Sequence, residues 1–118
     1  MAEAAHESCN SVILRGRLSA IDEPRVLPSG DTLLGFRVVV ARDATAAGRS
    51  RVRVDVVDCH VIRPALRRAV LRLSIGDVLE VKGALRRRFF RSAGALGSRY
   101  EVEVGTVVRF VSVGGSSP

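Results

Sequence analysis

The sequence predicts an all-β domain, a barrel of five strands with one helix inserted after the third strand. Val, Leu and Ala dominate a chain of 118 residues that is 47% hydrophobic and has 11 Gly and no Trp, a composition that favours strands and turns. Apolar and polar residues alternate with a period of two in several segments. A single segment has apolar residues at helical spacing instead. The length fits one domain.

The first two strands are predicted on either side of a turn. Over residues 11–21, residues such as Leu14 face one side and residues such as Arg15 face the other. The Pro-Ser-Gly-Asp sequence at 28–31 is a strong turn signal, because Pro presets φ and Gly accepts a positive φ. The second strand is predicted over residues 32–42.

A small, polar loop at 43–50 precedes a third predicted strand over residues 51–62. The alternation becomes ambiguous near Val56, which indicates either a bulge or burial of both faces. The helix is predicted to open at Arg63-Pro64, since Pro is tolerated in the first turn, and to end at Gly76 after about three turns.

A fourth strand over 77–91, a flexible hairpin tip over 92–98 and a fifth strand over 99–111 complete the pattern. The order βββαββ suggests the partly open Greek-key barrel called the OB fold. The predicted division of the chain is a disordered leader at 1–9, the OB domain at 10–111 and a short flexible tail at 112–118.

The charge indicates a polyanionic partner. Lys and Arg number 19 against 12 acidic residues, for a net charge of +7, and all but one of the basic residues are Arg. An Arg-rich proteome would explain the preference for Arg over Lys but not the positive excess. Arg is also the side chain best suited to forked phosphate contacts.

Several other classes of protein are not indicated. The first residues lack a signal-peptide pattern, and no apolar stretch reaches the roughly 20 residues of a membrane span, so we expect a cytoplasmic protein with no membrane partner. Cys9 and Cys59 form no CxxC pair, and Cys59 is predicted to be a small buried hydrophobe. His60 and Asp58 have no nucleophile at a suggestive spacing. We therefore predict a non-catalytic protein without metal or cofactor.

The stretch Arg86–Arg91 holds four Arg and two Phe in six residues. On a strand, Arg86, Arg88 and Phe90 share one face, where guanidinium groups can neutralise phosphates and the ring can stack on any base. Phe89 lies on the other face and is predicted to be structural, in the core or under the hairpin. The competing interpretation of the arginines is a charged, solvated strand edge.

Further arginines are predicted to extend this basic surface. Arg15, Arg17 and Arg37 lie opposite the apolar faces of their strands, and Arg51 and Arg53 flank the loop. Taken singly, each is as well explained as a solvated charge. As a set they suggest a track for a nucleic acid.

Five segments in order and in register resemble bacterial single-stranded DNA-binding proteins, from about residue 10 to residue 110. They are Asn10–Leu18, Pro28–Gly30, Asp58–Arg63, Gly76–Leu85 and Arg99–Val104. The resemblance implies an OB fold, a homo-oligomer (tetramer or dimer), and sequence-tolerant binding of single-stranded DNA in replication, recombination or repair, with RNA as an alternative ligand. It also implies a location at the nucleoid.

The resemblance assigns roles to several positions. The family's stacking aromatic falls on Phe90, and two further stacking positions fall on Val56 and Ile62, which lack rings. Asp58 stands where the family often carries positive charge. The family's acidic, Phe-terminated tail peptide has no counterpart in this sequence, so partner recruitment by that route is not expected.

The predicted contact set joins these residues: Arg15, Arg17, Arg37, Arg53, Val56, Ile62, Arg86, Arg88, Phe90 and Arg99. Two alternatives to a short single-stranded DNA-binding paralogue stay open. One is an accessory OB protein that resembles primosomal replication protein B. The other is a protein–protein interaction module that has lost most of its DNA contact, which Val56, Asp58 and Ile62 favour and the arginine track opposes.

Overall fold

A computed structural model describes residues 7–43 and 53–111 of the protein. Six strands and one helix lie within these residues: β1 Val12–Ile21, β2 Arg25–Val26, β3 Thr32–Ala41, β4 Val54–Val61, α1 Pro64–Leu71, β5 Val78–Ser92 and β6 Ala95–Val111. Most of the predicted leader, nearly all of the predicted loop at 43–50, Arg51 and the predicted tail lie outside the described residues.

The five long strands close into a barrel. The sheet order is β1-β5-β6-β4-β3-β2, and an additional antiparallel pairing of β1 with β3 closes the ring. Among the described strands, only β4 and β6 pair in parallel. With the helix between β4 and β5, this confirms the predicted OB fold and the order of its elements. The two-residue β2, which pairs with β3 beyond the turn at 28–31, was not predicted.

The interior is filled by the apolar residues of alternate strand positions. Leu18, Phe36, Val38 and Leu79 are fully or almost fully buried, and Val70 of α1 packs against them. Cys59 is buried in the same cluster, as predicted, and burial together with the nearby carboxylates raises the pKa of its thiol to about 12.

The helix is shorter than predicted. It ends at Leu71 rather than near Gly76, because a hydrogen-bonded turn follows it. The Asp77 side chain accepts a 2.8 Å hydrogen bond from Ser74 N, and Gly76, at φ 99°, donates from its backbone N to the Leu18 carbonyl at 2.8 Å. The first bond closes the turn, and the second fastens it to β1.

The ambiguous alternation near Val56 reflects neither a bulge nor burial of both faces at that position, since Val56 is exposed. Its register with β3 runs without interruption from Val61 opposite Leu34 to Val54 opposite Ala41. The last residues of the strand, Cys59–Val61, are all buried. Both faces of the strand are thus buried only at this end, and the two alternatives predicted near Val56 are both wrong for that position.

The predicted hairpin tip over 92–98 is wrong in extent. Ser92 pairs with Ala95, and only Ala93 and Gly94 make the turn, with φ angles of 52° and 82°. Two positive φ values match the two-residue turns that suit the twist of antiparallel strands. Residues 95–98 therefore belong to β6, and β5 and β6 form a long hairpin.

Candidate nucleic-acid interface

The end of the β5–β6 hairpin is a two-stranded arm, which we define as residues 86–101. Its register is continuous from Arg86 opposite Glu101 to the turn. The barrel strand β4 pairs with β6 only at Val102 and Glu103, so the arm extends beyond the last barrel pairing. Because side chains alternate along strands, the arm presents two opposite faces.

The first of these, the Phe90 face, consists of Arg86, Arg88 and Phe90 on β5 with Gly97, Arg99 and Glu101 opposite them on β6. The Phe90 ring lies across Gly97, where an added Cβ would be 2.8 Å from the ring's Cζ atom. The Arg99 guanidinium carbon lies 5.6 Å from the ring centroid. The Phe90 side chain is half-buried, so only part of its surface is open to solvent.

A buried carboxylate organises the root of this face. Glu101 is 4% exposed, and its Oε2 accepts hydrogen bonds from Arg88 Nε at 3.0 Å and Arg99 Nε at 2.7 Å. Its Oε1 lies 2.8 Å from His60 Nδ1 of β4. Burial alone would raise the pKa of Glu101, but the hydrogen bonds from His60, Arg88 and Arg99 outweigh it and hold that pKa below its ordinary value.

The neighbouring arginines are also paired with carboxylates. Arg86 Nε lies 3.1 Å from Glu103 Oε1, and Arg37 Nε lies 3.1 Å from Asp58 Oδ1. All four side chains are substantially exposed. Asp58, where the resemblance leads us to expect positive charge, therefore neutralises an arginine of the predicted contact set.

Val56 and Ile62, the two predicted stacking positions without rings, both lie on the barrel. Val56 is 59% exposed. It lies opposite Val39 of β3, which in turn lies opposite Arg17 of β1, so these three residues form one row across the strands. Ile62 follows β4 and is half-buried, where it lines a groove of about 360 Å³ together with Arg86 and residues of α1. These two positions thus lie on either side of Asp58 and His60.

The remaining predicted contact residues to be placed are Arg15 and Arg53. Arg15 pairs with Glu80 of β5 at 3.1 Å and stacks over the Phe110 ring at 4.0 Å, so the structure does not bring it to the arm. Arg53 is exposed just before β4, and its carbonyl accepts a hydrogen bond from Arg42 N.

The prediction that Phe89 is structural is wrong. Its side chain is 61% exposed. Its strand position does point to the core side, since Leu85, four residues earlier, pairs with the buried Val102. The arm extends beyond the barrel, however, so no core remains to cover Phe89.

The interface residues that sequence reasoning missed are Glu101, Glu103, Arg87 and Tyr100. Glu101 and Tyr100 lie directly opposite positions of the Arg-rich stretch, and Arg87 lies within it. Glu103 lies opposite Ala84 and reaches the stretch through its ion pair with Arg86. The two-residue turn at Ala93-Gly94 places Glu101 opposite Arg86. The predicted seven-residue tip over 92–98 implies a different pairing of the two strands, in which Glu101 does not face Arg86.

Comparison with known proteins agrees with this geometry. The model of the family described as "Single-strand binding protein family" matches residues 9–110. The chain belongs to the single-strand binding protein family. Membership makes it a non-catalytic protein that binds single-stranded DNA. No curated protein matches the sequence.

Among solved structures, the chain is similar to one described as "Plasmodium falciparum SSB complex with ssDNA". The TM-score is 0.70 at 17% sequence identity, over 88% of this chain and 96% of that one. At this identity the likeness shows the OB fold. No helix among the described residues is long and apolar enough to cross a membrane. Residues 7–43 and 53–111 contain no group of three or more His, Cys, Asp or Glu side chains that could hold a metal.

Proposed function

We propose that the chain binds single-stranded DNA without base specificity, through the Phe90 face and the adjoining outer surface of the barrel. The partly exposed Phe90 ring beside Arg88 and Arg99, in a chain of this family, is the observation that carries the proposal. A ring stacks on any base, because every base has a π-face. Arginines beside the ring can contact the phosphates that follow the stacked base.

The ion pairs divide the arginines into two groups. The Arg86–Glu103 and Arg37–Asp58 pairs are exposed, and pairs of that kind contribute about 0–1 kcal/mol, so a phosphate can displace the carboxylate. Arg88 and Arg99 use Nε to bond to the buried Glu101. A guanidinium has five N–H donors, so each keeps terminal N–H groups for a phosphate.

A path for the strand continues from the arm onto the barrel. The groove lined by Ile62, Arg63 and Arg86 joins the Phe90 face to α1. Val56 offers an exposed apolar contact further along β4, in register with Arg17. With valine and isoleucine in place of rings, we expect Phe90 to supply most of the stacking free energy.

The wider role follows from family membership. We infer a homo-oligomer, tetramer or dimer, that acts at exposed single strands during replication, recombination or repair, in the cytoplasm at the nucleoid. Light scattering at several protein concentrations tests the oligomer: a mass equal to one chain at all concentrations contradicts it.

A fluorescence titration with labelled oligo(dT) at low salt tests the proposal. We expect binding whose log affinity falls linearly with log salt, and a loss of about 1–3 kcal/mol in Phe90→Ala. Phe110→Ala is the matched control, because it removes a ring that also lies beside an arginine but away from the arm. Oligo(U) compares RNA with DNA. If the wild-type protein binds neither oligonucleotide at low salt, the proposal is wrong, and the interaction-module alternative replaces it.

A further inference from the structure

The second side of the arm, the Phe89 face, differs from the first in its charge. It consists of Arg87, Phe89 and Arg91 on β5 and of Leu96, Ser98 and Tyr100 on β6. These six residues include two cations and no carboxylate. On the Phe90 face, by contrast, Arg86, Arg88 and Arg99 all pair with glutamates.

Two exposed rings flank one guanidinium on the Phe89 face. Phe89 and Tyr100 are 61% and 60% exposed, and the Arg87 guanidinium carbon lies 5.4 Å from the first ring centroid and 5.7 Å from the second. Arg87 Nε and Nη2 donate to Ser98 Oγ at 3.1 and 3.0 Å. Its position is thus fixed by a neutral hydroxyl, and no carboxylate of residues 7–43 and 53–111 forms an ion pair with it.

This combination fits a single strand better than it fits an apolar protein surface. An apolar partner would cover the rings but would also bury the charges of Arg87 and Arg91 without a counter-charge, which is costly. A single-stranded nucleic acid supplies flat bases for the rings and phosphates for the arginines.

We propose that the Phe89 face is a second contact surface for single-stranded nucleic acid, so that one strand contacts both sides of the arm. Phe89 and Tyr100 stack on bases, and Arg87 and Arg91 contact phosphates. This inference rests on the proposed function and adds to it, because the Phe90 face alone would serve only one side of the arm. A strand must then be long enough to pass around the arm to reach both surfaces.

Tyr100 provides a direct test, because the chain has one Tyr and no Trp. All of the tyrosine fluorescence of the protein therefore comes from Tyr100. Because Tyr100 lies on the Phe89 face, a change in this emission reports on that face. We expect a long unlabelled oligo(dT) to quench this emission with the same midpoint as the binding of a labelled oligo(dT). Phe90→Ala shifts both midpoints together.

Affinity measurements with ring variants complete the experiment. Phe89→Leu/Tyr100→Leu should weaken a long oligo(dT) about ten-fold or more, and leave a short one, bound at the Phe90 face, unchanged. Phe110→Leu, which removes a ring away from the arm, should change neither affinity. Circular dichroism and urea unfolding check that each variant is folded.

The possible results separate this inference from the proposed function. If labelled oligo(dT) binds and Phe90→Ala weakens it, but Tyr100 is not quenched and the double variant binds long oligo(dT) normally, the Phe89 face is not a DNA surface and the proposed function stands. If no oligonucleotide binds, both fail. If Tyr100 emission changes with protein concentration alone, and the double variant abolishes that change, the face contacts a second copy of the chain and the inference is wrong.

Discussion

Glu101 accepts hydrogen bonds from two arginines of the arm while it contacts a histidine of β4. Arg88 and Arg99 approach Oε2 and His60 lies beside Oε1, so one buried carboxylate joins the arm to the barrel. Removing one charged partner from a buried ion pair destabilises the folded protein, because the remaining charge is left buried without compensation. At the scale of single residues, the orientation of the Phe90 face therefore depends on Glu101.

We expect Glu101→Gln to lower the free energy of unfolding by about 3 kcal/mol or more, because the amide cannot balance the guanidinium charge of the half-buried Arg88. Urea denaturation measures it. Glu103→Gln is the matched control: it lies on the same strand and face and has a single exposed ion pair, so its cost should stay within about 1 kcal/mol. Equal costs for the two variants would show that the Glu101 cluster adds no stability of its own.

The same cluster predicts a pH dependence. The pKa of Glu101 is lower in the folded state, so its contribution to stability is complete above the unfolded pKa of about 4.3 and is lost as the pH falls through the folded pKa. The difference in unfolding free energy between wild type and Glu101→Gln should therefore shrink as the pH falls below about 4. Parallel stability curves for the two proteins would contradict this.

Gly97 controls the position of the Phe90 ring. A Cβ on Gly97 would lie 2.8 Å from Phe90 Cζ, so Gly97→Ala must displace the ring. We expect weaker oligo(dT) binding with little loss of stability, because the displaced atoms are the far end of one side chain. Gly105→Ala is the control on the same strand, since its Cβ would meet only the Lys82 carbonyl oxygen at 3.8 Å. Unchanged binding in Gly97→Ala would mean that the ring position does not matter for DNA.

At the scale of elements, the arm depends on its two-residue turn. Ala93 has a φ of 52°, a left-handed conformation that costs a non-glycine residue roughly 1–2 kcal/mol. Asn is preferred at this position of such turns, so Ala93→Asn should stabilise the protein by about 0.5–1 kcal/mol. Thermal unfolding measures the gain. Ala95→Asn, one step past the turn, should give none, and an equal gain there would mean that backbone strain at Ala93 is not the cause.

The sequence predicts the order of the elements but not the arm. Period-two alternation identifies the long strands, because one face of each is buried in the barrel. Beyond the barrel that rule fails: Phe89 has the parity of a core residue and is exposed, and the Ala-Leu-Gly run after Gly94 has too little strand preference to show that β6 has begun. Glu101 was missed for the same reason, since its partners follow from the register of the hairpin.

At the scale of the whole molecule, the positive charge and the proposed DNA surface do not coincide fully. The chain carries a net charge of +7. On the Phe90 face and its surroundings, however, four arginines form ion pairs with three carboxylates, so the net charge there is only +1. The arginines are Arg37, Arg86, Arg88 and Arg99, and the carboxylates are Asp58, Glu101 and Glu103. Phosphates that bind there must compete with carboxylates. The affinity of this face should thus depend less on salt than the total charge suggests.

This competition predicts that removing a carboxylate improves binding. In Glu103→Gln, Arg86 loses its ion-pair partner, so oligo(dT) should bind more tightly at low salt, and the slope of log affinity against log salt should steepen by about 0.7, the value for one more phosphate neutralised on a single strand. Glu80→Gln makes the same change of charge and releases Arg15, which lies away from the arm, so its slope should match the wild type. A slope that steepens equally in both variants would mean that net charge alone controls binding. Weaker binding by Glu103→Gln would instead show that Glu103 holds Arg86 in place for the phosphate.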